Sequence, residues 1–367
     1  MIKQECFTSE WLNSFKSQEK YQLIQTNILE KMIYALHLLE QLKSSGLEFV
    51  FKGGTSLIFL LDEDNRFSID IDIICNTDQK ALEDVLNKVI KTSYFNSFTL
   101  DEKRSYQPGV PKAHYIFEFE TIFTTKTPAK ILLDVLVDKH IYPEIIDKPL
   151  KTKWIETDTT TMIKMPSIDA ITGDKLAAYA PNTTGIPYYK GEQTFAMEIC
   201  KQLFDLGRLF ERISSIEIVN KSFQLHAKKE ITYRKYKTTG DLTPEIVLED
   251  LIDTCRIITK RDKNKEEPAK SNFRLLQDGI RAFGTGYLMT GKFRIDDAII
   301  AAAKVAHLAS KLLAGDLTPI NYYNGENIRP LTIEYEDWNF LNRLKKQPDK
   351  SAFYYWYHTV NLLKQQQ

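Results

Sequence analysis

A double glycine, Gly53-Gly54, separates two apolar segments and restricts the local structures that this part of the chain can form. Leu47 to Phe51 is apolar and predicts a buried strand, which Gly53-Gly54 ends. The apolar run from Thr55 to Leu61 then predicts a helix. The local unit is therefore a strand, a glycine turn and a helix.

Two closely spaced aspartates follow this unit. Ser68 to Cys75 alternates around isoleucines, which predicts a second strand. Alternate residues of a strand lie on one face, so Asp70 and Asp72 would share a face about 7 Å apart. Two carboxylates placed in this way repel each other and can jointly bind a divalent cation.

The glycine turn suits the binding of a phosphate. Glycine lets the backbone approach a phosphate closely, and the N-terminus of the following helix attracts anions through its free N–H groups and its dipole. For Arg66 and Ser68, bracing of the loop is the alternative role. The residues that we expect around the bound phosphate are Lys52, Gly53, Gly54, Thr55, Ser56, Arg66 and Ser68.

A third carboxylate, Asp134, interrupts the apolar run from Ile131 to Val137, which is another predicted strand. An isolated carboxylate in a buried strand is costly unless it meets a metal ion or a cation. With Asp70 and Asp72 it would complete a site for Mg²⁺ or Mn²⁺. The alternative is an edge-strand residue that faces water.

Length and pattern predict two domains, because the chain has 367 residues and about 150 are typical of one domain. Residues 1–160 combine helices with alternating runs, which predicts an α+β fold with a mixed sheet flanked by helices. Residues 161–367 are predicted to be mainly helical. The clearest helical segments are Ile168 to Tyr179, Phe195 to Ile213, Leu248 to Ile258 and Asp296 to Leu313.

Composition excludes several classes of protein. Lys plus Arg and Asp plus Glu number 49 each, so net charge favours no polyanionic partner. No apolar run approaches the roughly 18 residues of a membrane span, and the N-terminus lacks a signal core. The four cysteines and six histidines have no metal-ligand spacing, so zinc catalysis is not supported. We expect a cytoplasmic protein without a membrane partner.

The combined pattern resembles a known family. Gly-Gly-Thr, then Asp-x-Asp, then a later strand aspartate is similar to the polymerase-beta nucleotidyltransferase superfamily. Lys-Gly-Gly-Thr-Ser-Leu with the Arg-x-Ser-x-Asp-x-Asp of residues 66–72 more narrowly resembles the AbiE-type toxins of abortive infection and toxin–antitoxin systems. The resemblance extends to Gly173-Asp174-Lys175 and to Lys201-x-x-x-Asp205, and so covers residues 45–215.

The resemblance implies a nucleotidyltransferase domain that transfers NMP from an NTP to an acceptor hydroxyl and releases pyrophosphate. It implies an RNA acceptor, in particular a tRNA 3′ end, and a cognate antitoxin as partner. Two other functions remain open. One is the modification of a protein hydroxyl by nucleotide transfer, and the other is a toxin that binds its partner without catalysis.

The later motifs would bring residues of the helical domain into the active-site cleft. Lys175 could neutralise triphosphate oxygens, and the alternative is an ordinary surface lysine. Lys201 and Asp205 lie four apart, so on a helix they share a face. Lys201 could then bind the nucleotide and Asp205 could act in catalysis, or the two could form a structural salt bridge.

Two further clusters have open roles. Lys228, Lys229, Arg234, Lys235 and Lys237 suit either phosphate binding or a solvated charged face. The segment from Tyr322 to Leu363 is rich in aromatic residues, for which packing against the helical domain is the favoured interpretation. Stacking on nucleic-acid bases is the alternative.

Overall fold

The computed structural model describes residues 1–22, 24–61, 66–107, 109–123, 127–234, 241–289 and 291–365. The chain divides into two compact units. The first comprises Met1–Ser167 with Tyr287–Gly291, and the second comprises Ile168–Gly286 with Lys292–Gln367. None of the helices in the described ranges has the length and apolar character that a membrane crossing requires.

The first unit combines helices with a sheet. Its helices are α1 (Ser9–Ser14), α2 (Thr26–Ser44), α3 (Gly53–Leu60), α4 (Gln79–Thr92) and α5 (Glu102–Ser105). Its strands are β1 (Val50–Lys52), β2 (Ile71–Cys75), β3 (Ser97–Leu100), β4 (Tyr106–Gln107), β5 (Val110–Phe119), β6 (Ala129–Val137), β7 (Ile145–Pro149) and β8 (Met162–Pro166). Short 3-10 turns lie at Gln4–Phe7, Phe15–Ser17 and Glu19–Tyr21.

The main sheet of this unit has the strand order β1-β2-β6-β5-β3, with β4 paired to β5. β2 and β6 run parallel, and the other neighbours run antiparallel. The predicted α+β fold with a mixed sheet is therefore confirmed. Because β6 lies between β2 and β5, Asp134 is on an interior strand, and the edge-strand alternative is wrong.

One face of the sheet is buried under helix α2. Along β6, Ile131, Leu133 and Val135 are all nearly inaccessible to solvent. On the same face, the ring of Phe119 on β5 stacks on Tyr34 of α2 with 3.7 Å between centroids. Since alternate residues of a strand point to opposite faces, Asp134 points to the face away from α2.

The predicted strand boundaries near the glycines were shifted. β1 covers Val50–Lys52 rather than Leu47 to Phe51, and β2 begins at Ile71 rather than Ser68. Helix α3 begins at Gly53 itself. The expectation that Asp70 lies within the strand is therefore wrong, because this residue immediately precedes β2.

The second unit is mainly helical, as predicted. Its helices are α6 (Ile168–Ala178), α7 (Ala196–Phe210), α8 (Ile216–Arg234), α9 (Pro244–Lys260), α10 (Ala269–Gly286), α11 (Ile295–Leu313) and α12 (Ser351–Lys364). A small hairpin is formed by β9 (Tyr189–Lys190) and β10 (Gln193–Thr194). The 3-10 segments are Arg261–Lys263 and Asn339–Lys346.

Helix α11 is central to this unit and packs against α7, α9 and α12. Its alanines allow close helix contacts, since small side chains let neighbouring backbones approach. On α12 the aromatic run Phe353 to Trp356 is almost fully buried, whereas Tyr335 is 45% exposed. The packing interpretation is confirmed for Phe353 to Trp356.

Candidate active site

A row of polar residues crosses the first unit's sheet from β1 to β5. Lys52 is paired in register with Asp72, Asp72 with Asp134, and Asp134 with His114. Residues that face each other on neighbouring strands share a face of the sheet, and the strands lie about 5 Å apart. The fold thus brings Asp72 and Asp134 side by side, although 62 residues separate them along the chain.

The third predicted carboxylate, Asp70, is exposed and lies two residues before Asp72. Its backbone is held by helix α3, because Thr55 Oγ1 donates a hydrogen bond to the Asp70 carbonyl at 2.6 Å. The same Thr55 oxygen lies 2.7 Å from Ser68 Oγ. Thr55 therefore fixes the segment that leads into the acidic strand.

Gly53 allows the Asp72 carboxylate to lie directly against the backbone. The φ angle of Gly53 is +74°, in the left-handed region that side chains other than glycine rarely adopt. A Cβ atom at this position would overlap the carboxyl group of Asp72. Glycine at position 53 is thus required by the position of the Asp72 carboxylate.

The other side chains that we expect around the phosphate form hydrogen bonds within the glycine turn and the loop that follows. Ser56 Oγ donates to the Gly53 carbonyl at 2.9 Å, and both Thr55 and Ser56 are fully buried. Arg66 is 9% exposed, and its Nη1 donates to the Phe67 carbonyl at 3.1 Å. In this structure these side chains brace the loop, which is the alternative that we gave for Arg66.

Two residues that the sequence did not single out hold Asp134. His114 Nδ1 lies 2.6 Å from Asp134 Oδ1, and Arg104 Nη2 lies 3.2 Å from Asp134 Oδ2. An ionised carboxylate only accepts hydrogen bonds, so Nδ1 of the imidazole carries the proton in this pair. Only the register of β5 against β6 could have identified His114, and this register is not readable from spacing.

The donor set suits a hard divalent cation, since carboxylate oxygens are its preferred ligands. Among the residues that the structure describes, no three His, Cys, Asp or Glu side chains group closely enough to hold a metal ion. Magnesium is usually bound by one or two carboxylates together with substrate phosphates. The pair Asp72 and Asp134 fits that kind of shared site better than a cage made by the protein alone.

In the second unit, Lys175 and Asp205 form a buried ion pair. Lys175 Nζ lies 2.8 Å from Asp205 Oδ2 and 3.0 Å from Gln202 Oε1. Lys175 is 5% exposed and Asp205 is fully buried, so the surface-lysine alternative is wrong. Lys201 lies one turn before Asp205 on α7 and is half-buried.

The basic cluster is described only in part. Lys228 and Lys229 lie on α8, whereas Lys235 and Lys237 are outside the described residues. Arg234 ends the helix, and its guanidinium donates to the backbone carbonyls of Thr184 and Gly185. For Arg234 the structure therefore assigns a contact to the loop after α6.

A family model described as the nucleotidyl transferase AbiEii toxin of the type IV toxin–antitoxin system matches residues 37–283. No curated protein matches the sequence at a significant level.

Two solved structures are similar to the chain. MenT4, a nucleotidyltransferase toxin from Mycobacterium tuberculosis H37Rv, is 14% identical with a TM-score of 0.45, covering 85% of this chain and 99% of that one. A candidate nucleotidyltransferase from H. pylori is 15% identical with a TM-score of 0.34, covering 68% of this chain and 93% of that one.

The family match spans well over half of the chain and includes the glycine turn, the three aspartates, Lys175 and Asp205. This protein belongs to the AbiEii family of nucleotidyltransferase toxins.

Proposed function

We propose that the chain transfers a nucleoside monophosphate from an NTP to an acceptor hydroxyl, with a divalent cation held by Asp72 and Asp134 together with the phosphates. Asp70, the third predicted ligand, does not group with this pair in the structure and would have to join it when the cation and the triphosphate bind. The observation that carries this proposal is the in-register pair Asp72 and Asp134 on one face of the sheet, next to Gly53. Two carboxylates and a glycine turn on one sheet face are the parts that a triphosphate with its cation needs.

The glycine turn is proposed to receive the triphosphate. Helix α3 begins at Gly53, so its first N–H groups and the positive end of its dipole are available to phosphate oxygens at this point. Lys52, the residue before the helix, supplies a positive charge in the same row as Asp72. These backbone and side-chain groups would orient the α-phosphorus for in-line attack.

A bound Mg²⁺ or Mn²⁺ would stabilise the negative charge that develops on the leaving pyrophosphate. The acceptor oxygen forms a bond to the α-phosphorus, the bond to pyrophosphate breaks, and the acceptor's proton goes to a base. Asp134 is our candidate for that base or for the group that orients the acceptor.

From the family motifs we also propose that Lys175, Lys201 and Asp205 take part in the reaction. In this structure the contacts with Asp205 and Gln202 fix the conformation of Lys175. The acceptor that we propose is RNA, in particular a tRNA 3′ end. The partner that we propose is a cognate antitoxin, because the family consists of toxins from toxin–antitoxin systems.

The first test uses the full chain with each α-labelled NTP, total RNA and Mg²⁺. We expect label in RNA, and we expect Asp72→Asn to reduce its transfer by about a hundredfold or more, since a metal ligand is lost. The matched control is Asp84→Asn, an exposed carboxylate on α4 of the same unit. Transfer by this control should equal that of the wild-type chain.

The same experiment separates the rival functions. Label in a protein fraction in place of RNA would indicate modification of a protein hydroxyl. A folded Asp72→Asn chain that still transfers label at the wild-type rate would contradict the proposal. If that variant is inactive in transfer yet arrests growth as strongly as the wild-type toxin, toxicity depends on binding and not on catalysis.

A further inference from the structure

Both carboxylate oxygens of Asp134 are already engaged by cationic or donor groups. Oδ1 faces His114 Nδ1 at 2.6 Å, and Oδ2 faces Arg104 Nη2 at 3.2 Å. The side chain of Asp134 is 25% exposed, so solvent and ligands can reach it. A divalent cation that binds this carboxylate must therefore displace one of the two existing partners, His114 or Arg104.

His114 is the fixed partner. It lies within strand β5 opposite Asp134, and its side chain is 14% exposed. Its backbone N–H donates to Ser105 Oγ at 2.9 Å, which ties the strand to the end of α5. Because the backbone of His114 is fixed in the sheet and its side chain is mostly buried, the imidazole ring has little freedom to leave the carboxylate.

Arg104 is the exchangeable partner. It lies on α5, a helix of only four residues, and its side chain is 43% exposed. Exposed ion pairs contribute little net stability, because water solvates the separated charges well and the long side chain loses entropy in the pair. The guanidinium can therefore leave Asp134 at small cost.

We propose that Arg104 is a built-in counter-cation that competes with the divalent cation for Asp134, while His114 is a positioning residue that keeps the carboxylate aimed at the site. The inference rests on the proposed function, because it takes Asp134 as part of the cation site. Arg104 neutralises the acid in the empty protein and moves away when the cation binds. A retained guanidinium would place a like charge beside the cation, which is unfavourable.

The test measures Mn²⁺ binding to the full chain without nucleotide, by the EPR signal of free Mn²⁺. Arg104→Gln removes the competitor, so we expect the Kd for Mn²⁺ to fall by about threefold to fivefold. The control is Lys103→Gln, which removes the same charge from an exposed neighbour on α5. The Kd of this control for Mn²⁺ should change by less than about half of the change in Arg104→Gln, since only the long-range electrostatic field at the site is altered.

The role of His114 has its own readout. His114→Ala should weaken Mn²⁺ binding and lower kcat with little change in the KM for NTP, because the carboxylate loses its orientation. His114→Asn keeps a donor near the position of Nδ1 and should restore much of both values. Equal loss in the two variants would mean that the ring only packs, and would contradict a positioning role.

The outcomes also distinguish this inference from the proposed function. An Arg104→Gln chain with an unchanged or higher Kd, or with the same change as Lys103→Gln, would overturn the competition even if Asp72→Asn abolishes Mn²⁺ binding. In that case the cation site of the proposed function stands. Wild-type binding of Mn²⁺ in an Asp134→Asn chain would overturn both.

Discussion

Gly53 lies where the backbone of α3 meets the carboxylate of Asp72. A side chain at this position should therefore reduce nucleotidyl transfer more strongly than it reduces the stability of the fold. Ala at a positive φ costs about 1–2 kcal/mol. In Gly53→Ala the new Cβ would in addition push the Asp72 carboxylate out of place. We expect nucleotidyl transfer to fall by about a hundredfold, since a shift of about 1 Å in a reacting group has that effect.

Gly46 provides the matched control for this change. It also has a positive φ, of +87°, but a Cβ atom there would meet nothing within 4 Å. Gly46→Ala should therefore lower the free energy of unfolding by a similar amount and leave transfer intact. Thermal unfolding and label transfer, measured on both variants, separate the two effects. Full activity of Gly53→Ala would show that Asp72 tolerates displacement.

Whether a residue of the candidate site can be predicted from the sequence depends on how unusual that residue is in its local pattern. Asp70, Asp72 and Asp134 are predicted at the site because acids within apolar alternation are unusual and costly. Arg104 and His114 were missed, because an exposed arginine and a strand histidine carry no such penalty. Their meeting with Asp134 depends on the register between β5 and β6, which is fixed by tertiary packing.

At the scale of elements, the close approach of α6 and α8 depends on Gly173. A Cβ at this position would lie 2.5 Å from backbone atoms of Val219 and Phe223 on α8. Gly173→Ala should force the helices apart and lower the free energy of unfolding by about 1–3 kcal/mol. The displacement would also disturb Lys175, which lies two residues later on the same helix.

Gly286, at the end of α10, is the comparison for this prediction. A Cβ there would meet no atom within 4 Å, so alanine should stabilise the helix slightly or have no effect. Chemical denaturation of both variants provides the measurement. Equal stability of Gly173→Ala and Gly286→Ala would mean that the two helices can separate without cost.

Elements were predicted well where local signals suffice. Helix α4 (Gln79–Thr92) is an example, because Leu82, Leu86 and Val89 share one face and Asp78 caps the first turn, and both signals are visible in the sequence. The start of β2 was missed by three residues. Thr55, which is distant from this segment in sequence, holds the Asp70 carbonyl, and such tertiary contacts override a local alternation.

At the scale of the whole molecule, acid should weaken the fold through buried histidines. The pKa of His307 is lowered to about 3, mainly by burial and also by the positive charges of His358 and Lys311, while Asp316 opposes the shift. The unfolded chain, with a histidine pKa near 6.5, therefore binds the proton first as pH falls. Stability contributed by neutral His307 is present above about pH 6.5 and is lost toward pH 3.

Chemical denaturation between pH 7 and pH 4.5 measures this effect. We expect the free energy of unfolding to fall by roughly a few kcal/mol across the range in the wild-type chain. His307→Leu should reduce the slope, since it removes one of the groups that take up a proton on unfolding. The same slope in both proteins would mean that His307 is already protonated when folded.

The parallel contact between β2 and β6 has a consequence for the newly made toxin. Asp134 follows Asp72 by 62 residues, so a ribosome must add this whole stretch before the second acid exists. At about 5–20 residues per second this takes roughly 3–12 seconds. A growing chain that has passed its glycine turn therefore still lacks the proposed cation site, which forms only after β6 has left the ribosome and has paired with β2.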